Sequence, residues 1–397
     1  MEKKQSFSLV DLRRQYRNPH ELYNALRSHD RIYFDTTGKC WIVTGYDAIR
    51  HILSDRHFSS KLGAGVTPTM GLVSKQMLFM DGEEHQHIQN MILRPLAQMM
   101  KSMKQYVHDI SQAILREKGA AGEMDLIGDF ASTVSLLAIA KVLGLPLDDR
   151  DELAQLERWS DTFEDVTSGF FHGSKDMQNI KNLQSYFSKI IAEKKRSQPA
   201  DLIDEFMAAK DFFKEEEDLI ANCVMVFAAG RITTKKLIGN GVPLLLQQWE
   251  HIQRLNREEP QQFPKLLGEE LLRVVTPTRY LIRQATETVD LSEQFPGRHV
   301  VQQGEKMLLY LEAGNYDVAA FPHPERLDPH RRPNRHIAFG YGKHQCPGAT
   351  MARLEAQVVL EVLLSLSQLR PKRGTTPTWN PNPNLGGYNS FPVTFVF

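Results

Sequence analysis

The sequence predicts a mainly α-helical protein with a small β-sheet region. Three observations carry that prediction. Apolar residues recur at helical spacing from Glu84 to Arg273, strand-like runs are few and short, and no repeat, low-complexity tract or Gly/Ser linker divides the 397 residues. A single domain over residues 1–397 is the simplest organisation.

Asn18-Pro19-His20 opens a helical pattern carried by Leu22 and Leu26. Arg31 to Phe34 and Cys40 to Thr44 read as a hairpin closed by Thr37-Gly38, and Tyr46 to Leu53 as a short helix. Phe58 to Met80 has glycines and a proline without a sustained period, so a long, mobile, lid-like loop is expected. The helical stretch that follows is interrupted near Gly144-Leu-Pro146, Thr167 to Gly173 and Gln198-Pro199. Beyond it, Arg298 to Val301, Lys306 to Leu311 and Pro392 to Phe397 are the strand candidates.

Composition narrows the function. With 41% hydrophobic and 24% charged residues the chain can enclose a large core. Forty-eight basic residues balance forty-eight acidic ones, so no net field recommends nucleic acid or an anionic membrane as partner. The N-terminus lacks the apolar run of a signal peptide, and no stretch approaches the ~20 apolar residues of a membrane span. A soluble, cytoplasmic monomer is therefore expected. Cysteine occurs at positions 40, 223 and 346, a set too sparse for a disulfide framework; Cys40 and Cys223 read as small core residues.

Cys346 stands apart. It lies in Phe339-Gly-Tyr-Gly-Lys-His-Gln-Cys-Pro-Gly348, which runs straight into an apolar-periodic helix. Glycines at 340, 342 and 348 let backbone approach a flat ligand, and N–H groups at the helix start near Gly348 favour a thiolate. Burial alone keeps a thiol protonated, whereas metal coordination removes the proton. A second pattern is Glu270-Leu-Leu-Arg273, an i, i+3 pair on one helix face whose charges can join a second arginine in a bidentate network. A third is the central helix, Asp218 to Trp249, where Gly230 and Thr233 share a face.

The run FGYGKHQCPG resembles the haem-binding loop of the cytochrome P-450 superfamily, and the other two patterns follow in that family's order. The resemblance implies the family's triangular, mainly helical single-domain fold. It also implies haem b (iron protoporphyrin IX), held between the central helix and the helix after Cys346. Cys346 matches the thiolate ligand, flanked by Phe339 and Gly348, while His85, Arg283 and His344 match positions that contact the propionates. Glu270, Arg273 and Arg331 match a structural ion-pair network. Ala229, Gly230, Thr233 and Thr234 match the oxygen-binding segment. Met80, Val226, Phe227, Ala229, Thr278 and the turn around Tyr388 and Asn389 are the pocket candidates. His87 and His336 are read as loop or surface histidines, although the family often has histidine at the position of His336.

Two departures stand out: Gln89 replaces an arginine that relatives place four residues after the histidine, so that one propionate would be held by its neutral hydrogen bond or by water, and Ile232 replaces the acid before the first threonine. Arg231 is unusual in an apolar helix, and pairing with an acid on a neighbouring helix is the expectation. The implied reaction is insertion of one oxygen atom from O₂ into a small, apolar organic substrate, with a natural-product intermediate as the expected class. Its electrons would come from NAD(P)H through a separate ferredoxin and ferredoxin reductase. Peroxide use or oxidative coupling is the alternative that Ile232 raises, and a non-catalytic haem sensor is a third.

Overall fold

The computed structural model describes residues 8–15, 17–61, 71–146, 149–167, 174–194 and 201–397. Its centre is the helix Glu216–Leu246. Glu216, Glu217 and Asp218 place negative charge in its first turn, against the positive end of the helix dipole, and the Glu215 N–H donates to the Asp218 carboxylate at 3.1 Å. Its middle is apolar on nearly all sides, the pattern of a helix enclosed by others. Around it pack Thr133–Leu143, Arg150–Thr167, Ser174–Glu193, Phe263–Val275 and Ala349–Leu364. Ala349–Leu364, the helix after Cys346, also lies along the long helix Gly82–Gly119. Val358, Val359, Leu360, Val362 and Leu363 are buried there, each worth roughly 1.5–3 kcal/mol of hydrophobic stabilisation when fully enclosed.

The expected hairpin is present as Ile32–Asp35 paired antiparallel with Cys40–Val43. It is one edge of a five-stranded sheet that continues with Lys306–Tyr310, Tyr280–Ala285 and Phe58–Ser59. Tyr280–Ala285 was not among the sequence-derived strand candidates, yet it pairs on both sides and carries Arg283. Also unanticipated is the three-stranded sheet in which Pro392–Val396 lies between Glu123–Asp125 and Gln368–Pro371. A two-stranded ribbon, Thr378–Asn380 with Gly387–Ser390, presents Tyr388 and Asn389.

The segment from Phe58 to Met80 is not one continuous loop. It begins as a strand and includes the helical turns Gly71–Ser74 and Met77–Phe79, while residues 62–70 lie outside the described set. Lys75 holds it to the start of the central helix through Glu215, Glu217 and Asp218. Asn222 adds a clamp, accepting from the Met77 N–H at 2.9 Å. The expected break at Gly144 is a left-handed helix cap, φ 69°, whereas residues 168–173 and 195–200, which contain the other two expected breaks, lie outside the described residues. One stretch, Leu126–Leu143, is long and apolar enough to cross a membrane, and 72% of it is buried in the core.

Candidate active site

The cysteine loop is built by backbone. Cys346 N–H donates to the Phe339 carbonyl at 3.0 Å, folding the intervening residues into a tight excursion. Gly340 (φ 70°) and Gly342 (φ 75°) supply its left-handed turns. A side chain at 342 would also meet the Leu53 carbonyl at 2.9 Å. The Cys346 side chain is accessible from a cleft, yet protein packs so closely around the sulfur that burial pushes the thiol pKa up. Opposing that, the N–H groups of Gly348 and Ala349 point at the sulfur, with the Arg353 charge behind them. Pro347 has no N–H to give, and the two residues after it take the task.

A cluster of Asp81, His85, Arg283 and His344 lies beside the loop. His344 Nε2 is 3.0 Å from Asp81 Oδ1, and the rings of His85 and His344 are 3.9 Å apart. Burial works against the Asp81 charge, but hydroxyls of Ser59 and Ser60 hold its carboxyl down at about 2. Desolvation, with the charge of His344, lowers His85 to about 4. Arg283 is the most telling member. It is 5% exposed, burial lowers it to about 10, and its one hydrogen bond is to the Ile282 carbonyl. Among the described residues no carboxylate forms an ion pair with it. A buried guanidinium without a bonded counter-ion is costly, so this donor set fits a ligand that brings carboxylates of its own.

Gln89 sits nearby with a different task. Its amide donates to the carbonyls of Lys343 at 3.2 Å and Gln345 at 2.9 Å, clamping the cysteine loop to the helix Gly82–Gly119. Its donors are therefore committed to backbone rather than aimed at a ligand.

On the central helix, Val226, Ala229, Gly230 and Thr233 form one accessible stripe. Thr233 donates its hydroxyl to the Ala229 carbonyl at 2.8 Å. Gly230 answers to packing as well as to the cleft, since a Cβ there would come within 2.6 Å of Ile139. Two expectations need correction. Thr234 turns away from the stripe: it is buried and bonds Glu355 on the helix after Cys346, at 2.7 Å. Phe227 is fully buried, edge-on to Phe187, and so packs in the core instead of lining a pocket. His336 is a satisfied loop histidine, as read: its ring reaches Glu269 at 3.1 Å. Ile232 is buried too. Arg231 pairs with Asp161 and Glu157 on the neighbouring helix, as its place in an apolar segment led one to expect. Met80 and Thr278 are partly accessible, as is Tyr388, and Asn389 is exposed.

Behind the loop, Glu270 and Arg273 are fully enclosed and joined by two hydrogen bonds of 2.7 and 3.0 Å. Arg331 reaches the same carboxylate at 3.2 Å, and Asn334 and the Asp328 N–H complete its acceptance. The remaining guanidinium donors bind carbonyls of Asn315, Pro322, His323, Pro324 and Arg326, which fixes the course of the chain ahead of the cysteine.

With that geometry in place, comparison with known proteins is decisive. The family model described as cytochrome P-450 matches residues 267–389. The biotin biosynthesis cytochrome P-450 of Bacillus subtilis (strain 168) is 30% identical, over 96% of each chain. This chain belongs to the cytochrome P-450 family. It is thereby an oxidoreductase of the monooxygenase type, with a haem-thiolate cofactor. A crystal structure of P-450 BioI in complex with hexadec-9Z-enoic acid ligated acyl carrier protein matches 96% of the chain and 100% of that one at TM-score 0.84 and 28% identity. The fold is also that of CxnD, a cytochrome P-450 enzyme for C–S bond formation in chuangxinmycin biosynthesis, at TM-score 0.87, 23% identity and coverage of 100% and 99%.

Several contributors were not legible beforehand. Asp81, Ser59 and Ser60 come from positions distant in sequence from the cysteine loop, and Glu355 is one of two acids in an otherwise largely apolar helix. Its i+9 position after Cys346 was the available signal.

Proposed function

We propose that this P-450 inserts one oxygen atom from O₂ into an apolar natural-product intermediate. Its two electrons would come from NAD(P)H through a separate ferredoxin reductase and ferredoxin. The observation that carries the reading is the pairing of an N–H-supported thiol at Cys346 with the buried cation Arg283, which forms no ion pair among the described residues. Those two groups fit the iron and a propionate of haem b, with His85 and His344 as the further donors. When bound, the haem supplies the oxygen-activating chemistry, and the chain's own residues do the rest.

Val226, Ala229 and Gly230 exclude bulk water and leave room for an apolar substrate beside them. Thr233 provides the one hydroxyl on that stripe, able to hold a water and pass a proton at its Oγ1. Where an acid at 232 would feed protons, this chain has a buried isoleucine. Behind it Glu355, whose carboxyl burial pushes up to about 7, is bridged to the central helix by Thr234. Elsewhere Lys101, Lys104 and His108 line a groove beside Glu361. The two lysines there suit an acidic electron-transfer protein. The acyl carrier protein complex of a 28%-identical neighbour makes a carrier-tethered acyl chain the first substrate class to try.

The test is conversion of candidate substrates with ferredoxin, its reductase and NADH, compared with hydrogen peroxide alone. Product that depends on NADH and O₂ supports monooxygenation. Product from peroxide alone, with none from the electron-transfer chain, transfers the assignment to the peroxide-using reading that Ile232 favours.

A further inference from the structure

One charged assembly beside the cysteine loop remains without a task. Glu269 precedes the buried Glu270 in sequence but points elsewhere, and its two oxygens are divided. Oε1 accepts from Arg353 Nε at 2.6 Å, and Oε2 lies 3.1 Å from His336 Nε2. The Ala338 N–H donates to the other nitrogen of that ring at 3.4 Å, which leaves Nε2 as the donor toward Glu269. Although burial works against its charge, the hydrogen bonds from His336 and Arg353 keep the Glu269 carboxyl below the usual range.

The Arg353 side chain is 38% exposed, yet among the described residues its one ion pair is the one with Glu269. The central carbon of its guanidinium lies 4.5 Å from the centroid of the Phe339 ring, within cation–π range. Phe339 is the residue whose carbonyl accepts the Cys346 N–H, and the Arg353 charge acts on the Cys346 sulfur itself. An arginine stacked on that ring, oriented by a carboxylate that is held by a histidine, is more structure than a solvated surface charge requires. A loose ion pair would leave Glu269 free of His336 and Arg353 free of Phe339.

We propose that Arg353, aimed by Glu269 and His336, is a positioning residue that sets the reduction potential of the haem through the field it places at Phe339 and the Cys346 thiolate. The reaction it governs is simple: ferric haem takes one electron from an external donor and becomes ferrous, with no bond made or broken in the protein. A positive charge beside the thiolate draws electron density from the sulfur and favours the reduced, more negative state. Removing it favours the oxidised one. The inference rests on the thiolate assignment of Cys346.

The experiment is a spectroelectrochemical titration of substrate-free holoenzyme with dithionite and mediators, in wild type, Arg353→Gln, Arg353→Lys and Glu269→Gln. Each is accompanied by the carbon monoxide spectrum of the reduced form and a melting curve. Arg353→Gln leaves Glu269 uncompensated, so its potential moves negative. Glu269→Gln leaves the arginine charge unneutralised, so its potential moves positive. Arg353→Lys keeps the charge and stays between wild type and Arg353→Gln. A purely structural role predicts lower melting temperatures with both neutral variants shifted in the same direction, and that result overturns the proposal, as do unmoved potentials. Should Arg353→Gln fail to retain haem, the sign of the Glu269→Gln shift decides alone. A wild-type carbonyl spectrum without the long-wavelength thiolate band would remove the assignment on which the proposal stands. With the band present and the potentials unmoved, only the proposal itself fails.

Discussion

Behind the cysteine loop, Glu270 is enclosed by Arg273, Arg331, Asn334 and the Asp328 N–H, with every charge answered. Across the cleft, the central helix offers Val226, Ala229, Gly230 and Thr233, an apolar stripe with one hydroxyl. The contrast separates two uses of polarity. On the loop side, buried charge fixes where backbone must run, and losing one partner strands the others. On the helix side almost nothing polar is committed, which leaves the face free for a ligand. The cluster around Arg283 lies between these extremes, charged yet incompletely paired, and that marks it as part of the site rather than of the scaffold.

The contrast is most easily broken at Glu270. Replacement by alanine leaves Arg273 and Arg331 buried without a counter-ion, at a cost of ~3–5 kcal/mol, a large share of a domain's net stability. Glu270→Ala is therefore expected as apoprotein or aggregate, measured by haem content and thermal melting. Normal values for both would reduce the network to an ordinary surface bridge.

Glu355 sharpens the comparison, because it is a buried acid on the helix after Cys346 that meets the central helix through a single hydroxyl, that of Thr234. Its folded pKa, about 7, lies above its unfolded value. The stability of its neutral form is thus fully present below roughly pH 4.5 and is lost as pH rises through about 7. Glu355→Gln should remove that loss, on the order of 2 kcal/mol, so the variant melts higher than wild type above neutrality and equally at low pH. Parallel melting curves across the range would show that the carboxyl does not titrate there.

A smaller effect is expected at Gly230. An added methyl must displace the Ile139 side chain, which is movable, so Gly230→Ala should cost about 1 kcal/mol and narrow the cleft. Melting together with substrate affinity checks this, and an unchanged melting temperature would place Ile139 elsewhere. Thr233→Ala comes last in stability, because a partly accessible hydroxyl bonded to its own helix contributes little. Its consequence should be chemical instead: substrate binding near wild type, but less product and more hydrogen peroxide per NADH consumed. Unchanged coupling would remove Thr233 from proton delivery.

How much of this could be read from the chain depends on sequence distance. The cysteine loop is contiguous, and Glu270 and Arg273 are one helical turn apart, so spacing alone places their chemistry. The hairpin Ile32–Val43 was legible for the same reason. Strand Tyr280–Ala285 was not, because both its faces meet protein and its burial does not alternate cleanly. The sheet around Pro392–Val396 joins strands of three to five residues, one of them far back in the sequence at Glu123–Asp125, where local pattern carries no pairing signal. Thr234 and Phe227 were misplaced because period assigns residues to a face without saying which neighbour that face meets. Gln89 was read as a donor to a ligand because its two carbonyl partners exist only once the loop has folded onto the helix.

The central claim is that Cys346 delivers a thiolate to haem iron from a loop organised by the residues behind it. It is tested most directly by the absorption spectrum of the reduced protein under carbon monoxide, in wild type and in Cys346→His. The account predicts the long-wavelength thiolate band in wild type and its absence in the variant, with haem still bound by His85, Arg283 and His344. A variant that keeps the wild-type band would contradict it.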